Sequence, residues 1–147
     1  MKVLIDADGC PVVEIAIGLC ASYQTPCLLL CDTAHTFHRE GAETLVFDKG
    51  ADSVDFALVN RIAPGDIVIT QDYGLASMCL ARQATVIHQD GWLYTADNVD
   101  ALLFQRHTAR KHRAAGGRFK GPAKRTTEQD KSFSQSFARL LQQTVQG

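Results

Sequence analysis

KVLIDADGCPV, residues 2–12, is the stretch whose reading decides the fold. Its short apolar run ends in an acid at Asp6, the pattern of a strand buried on both faces of a parallel sheet. Asp8-Gly9-Cys10-Pro11 then turns the chain. Pro11 suits the first turn of a helix, where an amide N–H has no intrahelical partner to lose. Val12, Ile15, Ala16 and Leu19 follow at helical spacing. Strand, turn and helix in this order open a βαβ unit.

The same alternation continues. Thr25–Cys31 (TPCLLLC) and Thr44–Phe47 (TLVF) read as strands, with Pro26 near the start of the first, where it does least harm. Asp52 to Ile62 carries apolar residues at 54, 58 and 62 and closes on Pro64-Gly65, a helix pattern. Asp66–Thr70 (DIVIT) is a strand, Leu75–Arg82 a short helix, and Ala84–His88 (ATVIH) a strand. Trp92 and Tyr94 alternate with Leu93, as in a short hairpin edge or a packing cover. A helix is expected from Asn98 to about Ala115, then a loop at 116–125 with three glycines and a proline. Thr126 and Gln129 resemble a capping box ahead of an apolar stripe of Phe133, Phe137, Leu140 and Leu141. The expected architecture is a single α/β domain of 147 residues, a three-layer α/β/α sandwich around a mostly parallel central sheet. A basic helix-loop-helix segment covers about 98–147.

No apolar run approaches the length of a membrane span. An acid six residues from the start argues against a signal-peptide core, so a cytoplasmic protein with no membrane partner is expected. Five scattered cysteines read as reduced, mostly buried thiols. Cys27 and Cys31, about 13 Å apart along a strand, are too distant to share an ion. The pair His35 and His38 has no evident third ligand and reads as loop or surface.

The net charge of −1 conceals an asymmetry. Residues 1–100 hold 5 Lys/Arg against 14 Asp/Glu, whereas residues 101–147 hold 10 against 2. An acidic body beside a basic tail suits a polyanion partner, although mutual neutralisation of the two parts accounts for the same numbers. The acids have a pattern. In an open parallel sheet, sites gather beyond the carboxyl ends of the strands. Asp6 and Asp8 end the first strand, and Asp72 follows the strand at 66–70, so all three emerge at one edge. Asp52 and Asp55 lie a helical turn apart near the start of a bordering helix, where Asp52 equally suits an N-cap. Crowded carboxylates repel, and a hard cation such as Mg²⁺ or Mn²⁺ relieves that repulsion. Thr70 could orient an acid or a water. Cys10 is the thiol nearest this edge, without an evident His partner. Asp66 starts a strand at the opposite edge and is left out.

Eight Lys/Arg and no acids lie between Arg106 and Arg125. Arg106, Arg110 and Arg113 share a helix face. Arg118, Lys120, Lys124 and Arg125 follow among glycines that permit close backbone approach. These residues suit contact with a nucleic-acid backbone, RNA being the expected partner, by charge rather than by base readout. A solvated basic face is the alternative.

Ile5-Asp6-Ala7-Asp8-Gly9-Cys10-Pro11-Val12, Gly50-Ala51-Asp52-Ser53-Val54-Asp55 and the run from Gly65 to Ala76 (GDIVITQDYGLA) together resemble the YaiI/YqxD-like family of bacterial proteins. Gly121-Pro122, Thr127 and Asp130 extend the match over nearly the whole chain. The fold of that family is related to PIN-domain nucleases, so the resemblance implies a three-layer sandwich and a metal-dependent nuclease site built of several acids. Asp6 and Asp72 match best the acids that PIN-like proteins place at strand ends. Asp8, Asp52 and Asp55 match the family's own motifs. PIN nucleases usually draw a further acid, often Glu, from a central helix, and here Asp52 or Asp55 stands in its place.

Three functions follow as expectations. The first is a Mg²⁺- or Mn²⁺-dependent nuclease acting on RNA, with Asp6, Asp8 and Asp72 holding the ion and Asp55 or Asp52 completing its shell. The second is a small-molecule phosphohydrolase with Asp6 as nucleophile. The third is a non-catalytic RNA-binding module that keeps a metal site for structure.

Overall fold

The computed structural model describes residues 1–32, 39–48, 53–114 and 124–146, and for 106–114 and 145–146 the backbone alone. Asp52, His35, His38, Arg118, Lys120 and most of the loop expected at 116–125 lie outside the described residues.

Five strands form the sheet: β1 (Val3–Asp6), β2 (Cys27–Asp32), β3 (Glu43–Phe47), β4 (Ile67–Ile69) and β5 (Thr85–Ile87). Every pairing is parallel and the order is β3-β2-β1-β4-β5. The sheet is thus wholly rather than mostly parallel. Among the described residues five helices accompany it: α1 (Val13–Ser22), α2 (Ser53–Asn60), α3 (Tyr73–Ala81), α4 (Ala96–Ala114) and α5 (Thr127–Gln146).

Because side chains alternate along a strand, each strand feeds two cores. Val3 and Ile5, Cys27, Leu29 and Cys31, and Ile67 and Ile69 pack on one face with α1 and with Phe133, Phe137 and Leu141 of α5. Leu4, Leu30, Val68 and Val86 pack on the other with Leu58 of α2, Leu75 and Cys79 of α3 and Val99 of α4. Strands greasy on both sides need a helical layer on each, and the chain supplies both. The handedness of the crossovers sets which helix goes where. From β1 the chain runs outward to β2 over α1, and from β4 it runs the opposite way to β5 over α3, so a right-handed crossover puts α1 and α3 on opposite faces. The chain before β3 returns on the α1 face, where Arg39 pairs with Glu14 and Ala42 joins that core.

Local chemistry explains where element ends depart from expectation. α1 closes with a Schellman turn: Thr25 N–H donates to Cys20 O at 2.8 Å and Gln24 N–H to Ala21 O at 3.2 Å, with Gln24 at φ 52°. That turn occupies Tyr23–Thr25, and the strand begins at Cys27, two residues later than the apolar run suggests. α3 begins two residues early, because Asp72 caps it by accepting from Leu75 N–H at 3.0 Å. α5 begins as its capping box requires, with Gln129 N–H on Thr126 Oγ1 and Thr126 N–H on Gln129 Oε1.

After β5 the chain folds back on itself. Leu93 forms an antiparallel bridge with Ile87, His88 N–H donates to Trp92 O at 2.9 Å, and Tyr94 N–H donates to Val86 O. The turn passes so close to α5 that a Cβ on Gly91 would lie 2.5 Å from Ser132 O, and Gly91 sits at φ 97°. Glycine is required there on both counts. Gly91→Ala is expected to lower stability by roughly 2–4 kcal/mol, from a left-handed backbone combined with a backbone clash, as measured by urea denaturation. Ala at Gly18, which has open space around it and lies in the middle of α1, should not destabilise at all.

Candidate functional site

The strand order reverses between β1 and β4, and the crevice beyond their ends is the switch point at which open α/β sheets bind ligands. The register pairs Ile5 with Ile69, which brings Asp6 level with Thr70. Thr70 is buried, and each of its polar atoms is engaged. Its Oγ1 donates to Asp6 Oδ2 at 2.9 Å and accepts from Asp72 N–H at 3.0 Å. Its carbonyl accepts from the Tyr94 hydroxyl at 3.2 Å, and its amide donates to Ile87 O. Thr70 therefore orients an acid, one of the two roles open to it from sequence.

The acids around it are individually positioned. Asp72 Oδ1 is committed to the α3 cap, leaving Oδ2 outside that bond. Asp8 Oδ2 accepts from the amide of Asp32, at the end of β2, at 3.0 Å. Asp6 keeps Oδ1 outside its bond to Thr70. Burial pushes the Asp6 carboxyl up to about 7, against the opposing pull of the Thr70 hydrogen bond, and the charges of Asp55, Asp72 and Asp8 push it further. Four of the acids singled out in the sequence thus act on one another through space. Among the described residues, no three His, Cys, Asp or Glu side chains are grouped so as to hold a metal ion. A ready-made cage of the kind that suits Ca²⁺ is absent from them. Mg²⁺ does not require one, since it keeps several waters and takes one or two carboxylates, with phosphate oxygens completing its shell.

Cys10 lies beside these acids. Burial raises its thiol to about 11, with Asp6 adding to the shift and Val12 N–H and Arg125 opposing it. A thiol held protonated in this way is no nucleophile at neutral pH. Asp66 sits at the opposite edge, buried. Desolvation works to raise its carboxyl, but Lys2 Nζ at 2.6 Å and the amides of Ala63 and Lys2 hold it below the usual range.

The basic residues divide. Arg106, Arg110 and Arg113 fall in the second half of α4, the half away from Val99. Lys124 is exposed. Arg125, read from sequence as a phosphate contact, is engaged within the protein: its Nε bonds Asp130 Oδ1 at 2.7 Å, one terminal nitrogen bonds Asp90 Oδ1 at 2.8 Å, and the other bonds Gln89 O at 2.7 Å. With three of its five donors so engaged, the guanidinium anchors the start of α5 to the turn after β5.

Several of these partners escape sequence reasoning. Asp32, which steadies Asp8 through its amide, carries the same signal as Asp6, an acid closing an apolar strand. Asp90 and Tyr94 carry none, because their partners lie 35 and 24 residues away in sequence.

A parallel α/β sandwich with aspartates gathered at its switch point is the class that this fold and site define. The chain belongs to the uncharacterised YaiI/YqxD family, whose model matches residues 4–143. It is similar to a UPF0178 protein of Exiguobacterium sibiricum, 57% identical over 141 residues and covering 96% of both chains. A UPF0178 protein of Clostridium acetobutylicum is 46% identical over 143 residues, covering 96% of this chain and 97% of its own. One of Alkaliphilus oremlandii is 40% identical over 145 residues, covering 99% and 94%. No solved structure matches the chain significantly. Among the described residues no helix is long and apolar enough to cross a membrane.

The raised Asp6 carboxyl has a consequence for stability. The folded state holds this proton up to about pH 7, whereas a free aspartate releases it near 3.8. Between those values the folded state binds more protons than the unfolded one, so stability falls as pH rises through this window. Asp6→Asn should therefore be more stable than wild type at pH 8, by roughly 1–4 kcal/mol, and near wild type at pH 4. Urea denaturation across pH 4–8 checks this; the difference between the two curves isolates Asp6.

Proposed function

We propose that this protein is a Mg²⁺- or Mn²⁺-dependent nuclease that hydrolyses phosphodiester bonds in RNA. The observation that carries the reading is the Asp6 carboxyl, whose ionisation is opposed first by burial and then by the neighbouring charges of Asp55, Asp72 and Asp8. A site that disfavours its own charge is relieved by a cation. Asp6 and Asp72 are the foremost ligands, with Asp8, and with Asp55 or Asp52 completing the shell through water. The family's likeness to PIN-type nucleases agrees with this assignment.

When bound, the ion would supply Lewis acidity and a lowered pKa for a coordinated water. The chain's own part is to orient its acids. Thr70 fixes the Asp6 carboxylate, the α3 cap fixes Asp72, and the Asp32 amide fixes Asp8. Arg106, Arg110, Arg113, Arg118, Lys120 and Lys124 would hold the phosphate backbone, a salt-sensitive contact without base readout. Arg125, tied to Asp90 and Asp130, is set aside from that group. The phosphohydrolase alternative loses ground because Lys2 lies at the other end of β1, paired with Asp66.

The test uses substitutions that preserve the hydrogen bonds. Asn caps helices as well as Asp does, so Asp72→Asn keeps α3, and Asp8→Asn keeps an acceptor for the Asp32 amide. Calorimetry should show saturable Mn²⁺ binding to wild type, weakened at least about tenfold in the double variant, the loss of one good ligand interaction. RNA cleavage should require Mn²⁺ or Mg²⁺ and fall by at least about a hundredfold in that variant. Cleavage that persists in the folded double variant would sink the nuclease reading. Salt-sensitive RNA affinity without turnover in any divalent ion would replace it with the binding module.

A further inference from the structure

Beyond β5, at the same edge of the sheet as the acids, stands an aromatic cluster that touches that site only through Tyr94. The Trp92 indole is stacked on the His88 imidazole with ring centres 4.3 Å apart and 12° between planes. Tyr94 meets it edge-on at 4.6 Å. His88 is locked in turn: its Nδ1 accepts from Asp90 N–H at 3.0 Å, and burial holds its pKa below the ordinary value, with Arg125 adding to the effect and Asp90 opposing it. It is therefore a neutral ring at physiological pH. Two devices immobilise the turn that carries the stack, the close approach of Gly91 to Ser132 and the Arg125 bonds to Gln89 and Asp90. Even so, Trp92 as a residue stays 37% exposed, although one face of its ring is covered by His88.

A stack that only filled the core would bury its largest ring. Here the largest ring belongs to a residue that stays part-exposed, on a turn tied down at two points. The path to the acids is short: Trp92 touches Tyr94, whose hydroxyl bonds Thr70 O at 3.2 Å, and Thr70 bonds Asp6 at 2.9 Å. A strand with a phosphate at Asp6 would carry a base past Trp92 within a few nucleotides. Bases stack on exposed aromatic rings without regard to sequence, as every base has a π-face.

We propose that Trp92, backed by His88 and braced by Gly91 and Arg125, is a stacking platform for one unpaired base of a single-stranded nucleic acid lying across the sheet edge. This rests on the nucleic-acid reading above and adds a subsite to it.

Trp92 is the only tryptophan in the chain, so its emission reports directly on the platform. Wild-type protein would be titrated with a short oligouridylate at low ionic strength, with Ca²⁺ added to screen the acids. Binding would be followed in parallel by anisotropy of a dye-labelled strand. The emission should fall substantially at saturation, and an abasic strand of the same length should bind without quenching. Trp92→Leu should weaken the labelled strand by roughly 5- to 100-fold, the worth of one stacked base, and Trp92→Phe should restore most of the affinity. A strand that binds by anisotropy while the emission and the Trp92→Leu affinity stay unchanged overturns the platform and leaves the nucleic-acid reading standing. A strand that does not bind at all overturns both. Uridine monophosphate quenching as well as the strand at equal base concentration would mean a mononucleotide pocket instead, and would likewise overturn the proposal.

Discussion

The hydrogen bond from Thr70 to Asp6 joins the two halves of this molecule at the point where the strand order reverses. On one side of it β1 leads through α1 to β2, and on the other β4 leads through α3 to β5. The loops after β1 and β4 therefore diverge to opposite faces and open a crevice between them. Thr70 fills the floor of that crevice with every polar atom paired. Asp6, Asp72 and the Tyr94 hydroxyl take their positions from it. Paired parallel backbones bring these acids together whether or not their charges favour it. Burial is the main reason the Asp6 carboxyl is held so far above an ordinary aspartate, and the repulsion that results from this gathering adds to it.

The folded chain tolerates this strain because stability is supplied elsewhere. Two apolar layers, one with Phe133 and Phe137 and one with Leu58, Leu75 and Cys79, clamp strands that carry no charge between the edges. Of the two sheet edges, the end opposite the acids is neutralised: Asp66 is paired with Lys2 and capped by backbone amides. The contrast is instructive. Both ends hold carboxylates drawn into the protein, and the end at the switch point gathers several of them.

The turn after β5 shows how a basic tail can serve two ends. Arg125 was one of a run of cations that reads as a phosphate contact, yet it closes a network with Asp90, Asp130 and Gln89. It fastens the start of α5 to the sheet edge, and α5 in turn covers a whole face of the core. Charge runs are additive in sequence but not in structure, since a guanidinium already bound to two carboxylates no longer offers its charge to a partner.

Much of the architecture was legible from residues alone. Apolar runs bounded by turn residues marked all five strands, and the capping box marked the start of α5, because these signals depend on contacts within a few positions. Asp6, Asp8 and Asp72 were legible as a group for the same reason: each closes or follows a strand, and parallel strands share one edge. What sequence could not show was the partner of each acid. That Thr70 orients Asp6, that Asp32 steadies Asp8, that Tyr94 props Thr70 and that Arg125 is consumed by Asp90 all depend on strand order and on which face each helix covers. Strand order is set by the global packing of two cores, a property of the whole chain that no local pattern encodes. The sequence by itself determined the elements and the acidic edge; the tertiary structure alone decided which charges meet there and which are already paired.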